Sequence, residues 1–193
     1  RFIGNRSSGQ MGYALAHQAR DRGAHVILVS TTGQLAPFGV ELVPVDTASQ
    51  MHDAVIEALA DADLLLMAAA VADYTPAIRS PHKIKKGESR LTLDLIRTPD
   101  ILAHVAKLRA PGQLVVGFAA ETQGLLENAR DKLHQKRLDL IVANDARQAM
   151  GSTTNQVTLI FADGHFEEFP VLPKSEVASR ILDRLMALPN RHE

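Results

Sequence analysis

The 193-residue chain carries 21 Lys and Arg against 22 Asp and Glu, 46% apolar side chains, 4% aromatic ones, and neither cysteine nor tryptophan. That length and apolar share support one well-packed domain, while zero cysteine excludes disulfides, thiolate-held zinc and a catalytic thiol. A net charge of −1 argues against a nucleic-acid or membrane-surface binder, and no apolar run is long enough to span a bilayer, so a cytoplasmic protein is expected.

Taken in chain order, the sequence opens at Arg1 in a Gly- and Ser-rich segment without an initiator Met, which reads as a piece of a longer polypeptide. A helix is predicted over 11–22, closed by Gly23, a residue suited to the left-handed conformation. A short buried strand at 26–29 and a weaker one at 40–45 follow. Thr47-Ala-Ser-Gln50 spells a capping box for a helix to about Leu59. The apolar run 64–69 reads as a parallel strand buried on both faces. Residues 73–90 are polar, aperiodic and basic, as in a functional loop.

Residues 91–96 alternate like a half-exposed strand, and Thr98-Pro99 supplies an N-cap and first-turn proline for a helix to about Leu108. A strand at 114–119, a helix at 124–137 and a strand at 138–143 continue the alternation. Residues 156–162 and 165–171 around Asp163-Gly164 signal a hairpin, and 175–188 an amphipathic closing helix. The order implies an α/β fold, three-layer and Rossmann-like, with a mainly parallel sheet and a C-terminal hairpin, forming one domain over residues 1–193. Doubly wound domains begin with a strand leading into the Gly-rich loop, so a first strand is expected upstream of Arg1.

The loop Gly4-Asn-Arg-Ser-Ser-Gly-Gln-Met-Gly12 runs into a helix, so its N–H groups and the positive helix end can face a phosphate or carboxylate; an ordinary Ser-capped turn is about equally compatible with a Gly/Ser loop alone. It is not a Walker A loop, because Gly9 is followed by Gln10-Met11 rather than Lys and Ser or Thr. A dinucleotide site wants an acid at the end of the next strand, where Ser30-Thr-Thr stands instead, which leaves an NAD(P)-dependent oxidoreductase as the alternative. Lys83, Lys85 and Lys86 repel one another until a polyanion neutralises them, as in a lid over a triphosphate, although solvated charged loops are common. Lys132 and Lys136 share a helix face without an acid at helical spacing, which modestly favours an anion between them. Phe118, at a strand end, is one of few aromatic side chains that can stack on a base, though core packing is the commoner role. The eight histidines show no metal-ligand spacing, and Ser7 and Ser8 lack a nearby base.

Six blocks carry a specific likeness: residues 1–12, Ala68-Ala-Ala-Val-Ala-Asp-Tyr74, Lys83-Ile-Lys-Lys86, Thr98-Pro-Asp-Ile101, Val116-Gly-Phe-Ala-Ala-Glu-Thr122 and Asp139-Leu-Ile-Val-Ala-Asn144. In this order, over nearly the whole chain, they resemble the phosphopantothenoylcysteine synthetase domain of bacterial coenzyme A biosynthesis. The resemblance implies a ligase joining 4′-phosphopantothenate to L-cysteine with CTP and Mg2+, through an acyl-cytidylate. It also implies a homodimer, fused downstream of an FMN-dependent decarboxylase domain. By the same resemblance Asn5 handles the acyl-cytidylate with Arg1 and Ala69 assisting, and Lys83 neutralises charge in nucleotidyl transfer. Asp73, Pro99, Asp100, Ile101, Leu102, Phe118, Lys132 and Lys136, together with Lys83, match nucleotide-binding positions. Asn5, Ser7, Ser8 and Gly9 form the phosphopantothenate loop. The family commonly has lysine where this chain has Gln10, so weaker phosphate binding is expected if that lysine contributes.

Overall fold

Alternating strands and helices stack in three layers in a computed structural model of the chain, which describes residues 4–5, 7–78, 80, 82, 91–121, 125–145 and 152–188. The elements are α1 (Gln10–Asp21), β1 (Ile27–Ser30), β2 (Glu41–Pro44), α2 (Ala48–Leu59), β3 (Leu64–Met67), β4 (Tyr74–Pro76), β5 (Leu95–Arg97), α3 (Ile101–Leu108), β6 (Leu114–Glu121) and α4 (Leu125–Gln135). They continue with β7 (Leu140–Asp145), β8 (Thr154–Asn155), β9 (Val157–Phe161), β10 (Phe166–Glu168), β11 (Leu172–Pro173) and α5 (Lys174–Met186).

The main sheet has five strands in the order β10-β9-β7-β6-β3. Strands β3, β6 and β7 run parallel, while β9 is antiparallel to β7 and β10 to β9. Strands β1 and β2 form a separate parallel pair. Parallel strands sit between helix layers, which is why β7 reads as an apolar run. Ile141 and Ala143 pack toward α2, α3 and α4 with Val55, Val105 and Leu133, whereas Leu140 and Val142 pack toward α1 and α5 with Leu15, Val177 and Ile181. Each of the Val, Leu and Ile side chains among them contributes about 1.5 to 3 kcal/mol by leaving water.

At the N-terminal end of β6, Asp139, only 3% exposed, accepts from Val115 N–H at 2.8 Å and from Arg109 Nη1 at 2.8 Å. The buried Asp139 carboxylate thus ties Arg109, just past α3, to the start of β6 at the end away from the loops described below.

Several predicted features shift for identifiable reasons. The run at 64–69 is a strand only over Leu64–Met67, and of its four residues only Met67 is buried. The cause is that β3 has β6 on one side and no ladder partner on the other among the described residues. The half-exposed strand expected at 91–96 shrinks to β5, which lies outside the main sheet and pairs antiparallel with β4, inside the stretch expected to be loop. All three β5 residues are exposed, so alternation there reflects no buried face. The N-cap of α3 is Asp100 rather than Thr98; the Asp100 carboxylate accepts from Ala103 N–H at 3.0 Å. The capping box at Thr47 and Gln50 is present as expected. The hairpin at β9 and β10 turns on Gly164, whose φ of 87° suits glycine. Strands β8 and β11, two residues each, carry no sequence signal.

Candidate functional site

Because β1, β3 and β6 are parallel to their neighbours, the loops that follow them emerge at one end of the molecule, where open α/β sheets hold ligands. The Gly-rich loop before α1 reaches that same end. Asn5 Nδ2 donates to Ala70 O and Val71 O, each at 3.2 Å, so the loop is fastened to the segment following β3. This brings Asn5 beside exposed Ala69, two residues assigned to one step by resemblance alone.

The loop has its own scaffold. Ser7 N–H donates to Asn5 O at 3.1 Å, and Gly9 N–H donates to Ser7 Oγ at 3.3 Å. Gln34 Nε2 donates to Ser8 O at 2.9 Å, Tyr13 Oη donates to Gln34 O at 2.9 Å, and Thr32 Oγ1 donates to Tyr13 Oη at 3.0 Å. Gly9 adopts φ 71°, and a Cβ there would meet Thr32 Cγ2 at 2.6 Å. Both conformation and space therefore demand glycine. Ser7 and Ser8 are exposed, and Gly9 caps α1 without a side chain, which leaves the first N–H groups of the helix for an anion. The end of β1 offers the Ser30 and Thr32 hydroxyls, 3.1 Å apart, where a ribose-binding carboxylate would stand in a dinucleotide site.

A second group gathers around the start of α3. Thr98 Oγ1 donates to Ala72 O at 2.6 Å and Thr98 N–H to Asp73 O at 3.0 Å, so Asp73 and Pro99 lie on linked segments. Lys136, just beyond α4, donates to Asp100 Oδ2. Partial desolvation pushes the Asp100 carboxyl up, yet Lys136, the Ala103 N–H and the nearby Lys132 outweigh it and hold the group below the usual carboxylate range. The absence of an acid at helical spacing from the two lysines is thus made good from another element: Lys136 has Asp100. Ile101 is 4% exposed and Leu102 packs against the same core, so a ligand would meet these two chiefly through their backbone.

Phe118 falls on the other face. Its half-buried ring packs with the α1 and α5 layer, whereas Ile101 and Leu102 belong to the α2, α3 and α4 layer. Arg1 and Lys83 lie outside the described residues. Among the described residues no group of three His, Asp or Glu side chains is arranged to hold a metal, and no helix is long and apolar enough to cross a membrane. Sequence reasoning missed Thr32, Gln34 and Thr98 as fasteners of the site, and Lys174, whose Nζ donates to Gln10 Oε1 at 3.2 Å. Contacts of this kind depend on tertiary proximity and leave no spacing pattern.

Residues 1–188 match the family model described as DNA/pantothenate metabolism flavoprotein C-terminal domain. The chain is 45% identical over 193 residues to a protein of Bacillus subtilis (strain 168) named Coenzyme A biosynthesis bifunctional protein CoaBC, covering 97% of this chain and 47% of the relative. A protein of an unknown prokaryotic organism named Cysteine/Cysteine sulfinic acid decarboxylase is 40% identical over 193 residues, covering 97% of this chain and 54% of the relative. The chain therefore spans about half the length of the curated relatives it matches. Among solved structures, the crystal structure of the C-terminal domain of a CoaBC protein superposes with a TM-score of 0.82 at 40% identity, covering 96% of this chain and 85% of that one.

Proposed function

The chain belongs to the DNA/pantothenate metabolism flavoprotein C-terminal domain family, and from that premise we propose that it ligates 4′-phosphopantothenate to L-cysteine at the expense of CTP, in coenzyme A biosynthesis. The observation that carries the proposal is the fastening of Asn5 to the carbonyls of Ala70 and Val71, which makes one site of the Gly-rich loop and the segment after β3. The resemblance to the C-terminal domain of CoaBC supports the same reading.

Two displacements make up the reaction. A carboxylate oxygen of phosphopantothenate attacks the α-phosphorus of CTP, the bond from that phosphorus to the bridging oxygen breaks, and pyrophosphate leaves. The amine of cysteine then attacks the acyl carbon, the bond from that carbon to the CMP oxygen breaks, and the amine gives up a proton. The first step accumulates charge on phosphoryl oxygens, which fixed cations and N–H groups stabilise. Lys83 is assigned that role, with Lys132 and Lys136 beside the nucleotide phosphates and Asp73, the 99–102 backbone and Phe118 around the nucleotide.

Asn5 serves the second step, with Arg1 and Ala69. Its Nδ2 is committed to two carbonyls, so Oδ1 is the atom it can present to an N–H of the attacking amine. The Ser7, Ser8 and Gly9 segment and the start of α1 face the phosphate monoester. Magnesium is treated as part of the nucleotide substrate, since no described cluster of carboxylates would hold it and hard cations of this kind are commonly carried by phosphates. FMN is assigned to a decarboxylase half fused in the full-length cytoplasmic protein. The working unit is placed as a homodimer, which would cover apolar side chains such as Tyr74, Leu95 and Ile96, exposed on the β4–β5 ribbon.

The test is pyrophosphate release by the chain with CTP, phosphopantothenate and magnesium in the absence of cysteine, followed by amide formation on adding cysteine. Pyrophosphate should appear in stoichiometric amount first and catalytically afterwards; none from a folded protein overturns the reading. Lys83→Gln should suppress the first step, and undiminished acyl-cytidylate in that variant would remove Lys83 from its role.

A further inference from the structure

The loop between β1 and β2 lies so close to the Gly-rich loop that a Cβ on Gly9 would meet Thr32 Cγ2 at 2.6 Å. Beside that contact three hydroxyl groups are in line. Tyr13 Oη has one hydrogen, and it goes to Gln34 O at 2.9 Å, because a carbonyl only accepts. Thr32 Oγ1 then donates to Tyr13 Oη at 3.0 Å, which leaves Ser30 Oγ as the donor to Thr32 Oγ1 at 3.1 Å. The chain of donors begins at the end of β1 and ends on the backbone of Gln34. From there the Gln34 side chain carries it on, with Nε2 donating to Ser8 O at 2.9 Å.

The group it reaches is one half of a peptide unit whose other half is also held. Ser8 C=O and Gly9 N–H belong to one planar trans unit and point opposite ways. Gln34 holds the first, and Ser7 Oγ accepts from the second at 3.3 Å. The residue after this unit is a glycine at φ 71°, and glycine populates both signs of φ, so the plane has little intrinsic resistance to turning over. A half-turn would take Gly9 N–H off Ser7 Oγ. Ser7 in turn donates its N–H to Asn5 O at 3.1 Å, and Asn5 Nδ2 reaches Ala70 O and Val71 O. Asn5 is therefore held through its side chain by the segment after β3, and through its backbone by a unit that Gln34 keeps in place. Gln34 is itself exposed, so its amide fills no core.

We propose that Gln34 is a positioning residue for Asn5: its side-chain amide locks the Ser8–Gly9 peptide plane, with Tyr13 and Thr32 holding Gln34, and so keeps Asn5 Oδ1 aimed for the amide-forming step. The inference rests on the ligase reading for the step that Asn5 serves. The lock on the peptide plane is independent of that reading.

Gln34→Glu tests it, because a carboxylate of the same shape has no hydrogen for Ser8 O at neutral pH and repels it. Tyr13→Phe removes the hydroxyl that holds the Gln34 carbonyl, and the double variant completes a cycle. Each protein is followed by thermal unfolding and by quenched reactions that separate acyl-cytidylate formation from its conversion to amide. Nitrogen–proton correlation NMR reads the Gly9 backbone amide and the Asn5 side-chain amide, the latter assigned by its loss in Asn5→Ala.

Gln34→Glu should form acyl-cytidylate within about twofold of the wild-type rate and convert it at least about fivefold more slowly, with KM for CTP within about twofold. Both NMR signals should move. The melting temperature should fall by no more than about 4 °C, as for the loss of one exposed hydrogen bond in a chain of this size. Tyr13→Phe should slow the same conversion by less, and the double variant should be no slower than Gln34→Glu, since both changes act through one contact.

Conversion at the wild-type rate in Gln34→Glu overturns the proposal, as does equal slowing of both steps or a pair of NMR signals that stay in place. Fully additive slowing in the double variant overturns the part given to Tyr13. Should Gln34→Glu not fold, Gln34→Met, which also lacks a donor, decides by the same measurements. Wild-type protein that releases no pyrophosphate would sink the ligase reading, and the lock on Asn5 would then stand or fall on the two NMR signals alone.

Discussion

Lys136 donates its ammonium to the carboxylate of Asp100, so the residue just past α4 holds the residue that caps α3. The pair is half open, with side-chain exposures of 22% for Lys136 and 54% for Asp100, so its Coulomb energy is partly screened. Asn caps a helix about as well as Asp, and Asp100→Asn therefore isolates the ion pair, at about 0.2 to 1 kcal/mol; Asp100→Ala loses the cap as well, about 1 kcal/mol more. The folded Asp100 pKa is lowered, so its stabilisation is present above the unfolded value near ~4 and is lost as pH falls through the folded value. Urea unfolding at pH 7 and below pH 3 should show the wild-type advantage over Asp100→Asn shrinking on acidification. An advantage undiminished by acid would contradict the account.

The same ion pair gives a kinetic expectation. If nucleotide phosphates approach Lys136 and Lys132, Lys136→Met should raise KM for CTP about three- to tenfold, roughly the loss of one partly exposed charge-assisted contact. KM for L-cysteine should stay within twofold. Initial rates with each substrate varied in turn make the distinction, and a rise confined to cysteine would move Lys136 out of the nucleotide region.

Asn5 separates stability from chemistry. Its two hydrogen bonds to the carbonyls of Ala70 and Val71 are exposed, so Asn5→Ala should cost less than about 1 kcal/mol of stability. Asn5→Asp presents a carboxylate to two carbonyl oxygens, which repel it and displace the side chain. Both variants should form acyl-cytidylate and convert it to amide at least about tenfold more slowly, the loss of about one well-placed hydrogen bond in the second step. Chromatography of quenched reactions reads the intermediate directly. Its absence from both variants, with pyrophosphate release also lost, would place Asn5 in the first step.

Gly9 is constrained twice over, by φ 71° and by Thr32 Cγ2, which a Cβ would meet at 2.6 Å. Gly9→Ala should cost about 1 to 3 kcal/mol. Thr32→Ser removes the offending methyl and keeps the hydroxyl that serves Tyr13, so the double variant should recover the steric share and retain the conformational share of about 1 kcal/mol. Chemical denaturation of the four proteins in the cycle measures the split. A double variant no more stable than Gly9→Ala would mean that the backbone conformation carries the whole effect.

Legibility followed the range of the interactions. Local chemistry could be read directly: the Thr47 and Gln50 capping box, the closure of α1 near Gly23, and the turn at Gly164 each depend on residues within one turn of each other. Parallel strands buried on both faces were legible as apolar runs, as in β6 and β7. Where the context was tertiary, pattern failed. Leu91 to Ile96 alternate, yet β5 lies on a ribbon away from the main sheet, because periodicity reports which faces differ and not what covers them. Thr98 looked like an N-cap and instead fastens Ala72, since Asp100 two residues later competes for the same helix end. In the candidate site, Asn5 and Ala69 were linked only through resemblance, while the fasteners Thr32, Gln34 and Lys174 are reached by contacts that no local spacing encodes.

The β1–β2 pair and the main sheet raise a last expectation. Strand β1 pairs with β2 alone and β3 with β6 alone, so each has one unpaired edge among the described residues. Helix α1 packs on both β1 and β3, and Val29 and Val43 from one sheet share a core cluster with Leu65 and Met67 from the other. Unpaired parallel edges beneath a common helix expose N–H and C=O groups that a further parallel strand would satisfy. A polypeptide extended at its N-terminus by an apolar, β-branched segment leading into the Gly-rich loop should place that strand between β1 and β3 and join the sheets. The half-exposure of Leu64, Leu65 and Leu66 should then give way to burial, raising stability by at least about 2 kcal/mol. Hydrogen exchange at the backbone amides of β1 and β3, compared between the 193-residue chain and the extended one, reads the pairing directly. Protection should rise at alternate residues of both strands; equal exchange in the two proteins would mean that the sheets remain separate and that the extension packs elsewhere.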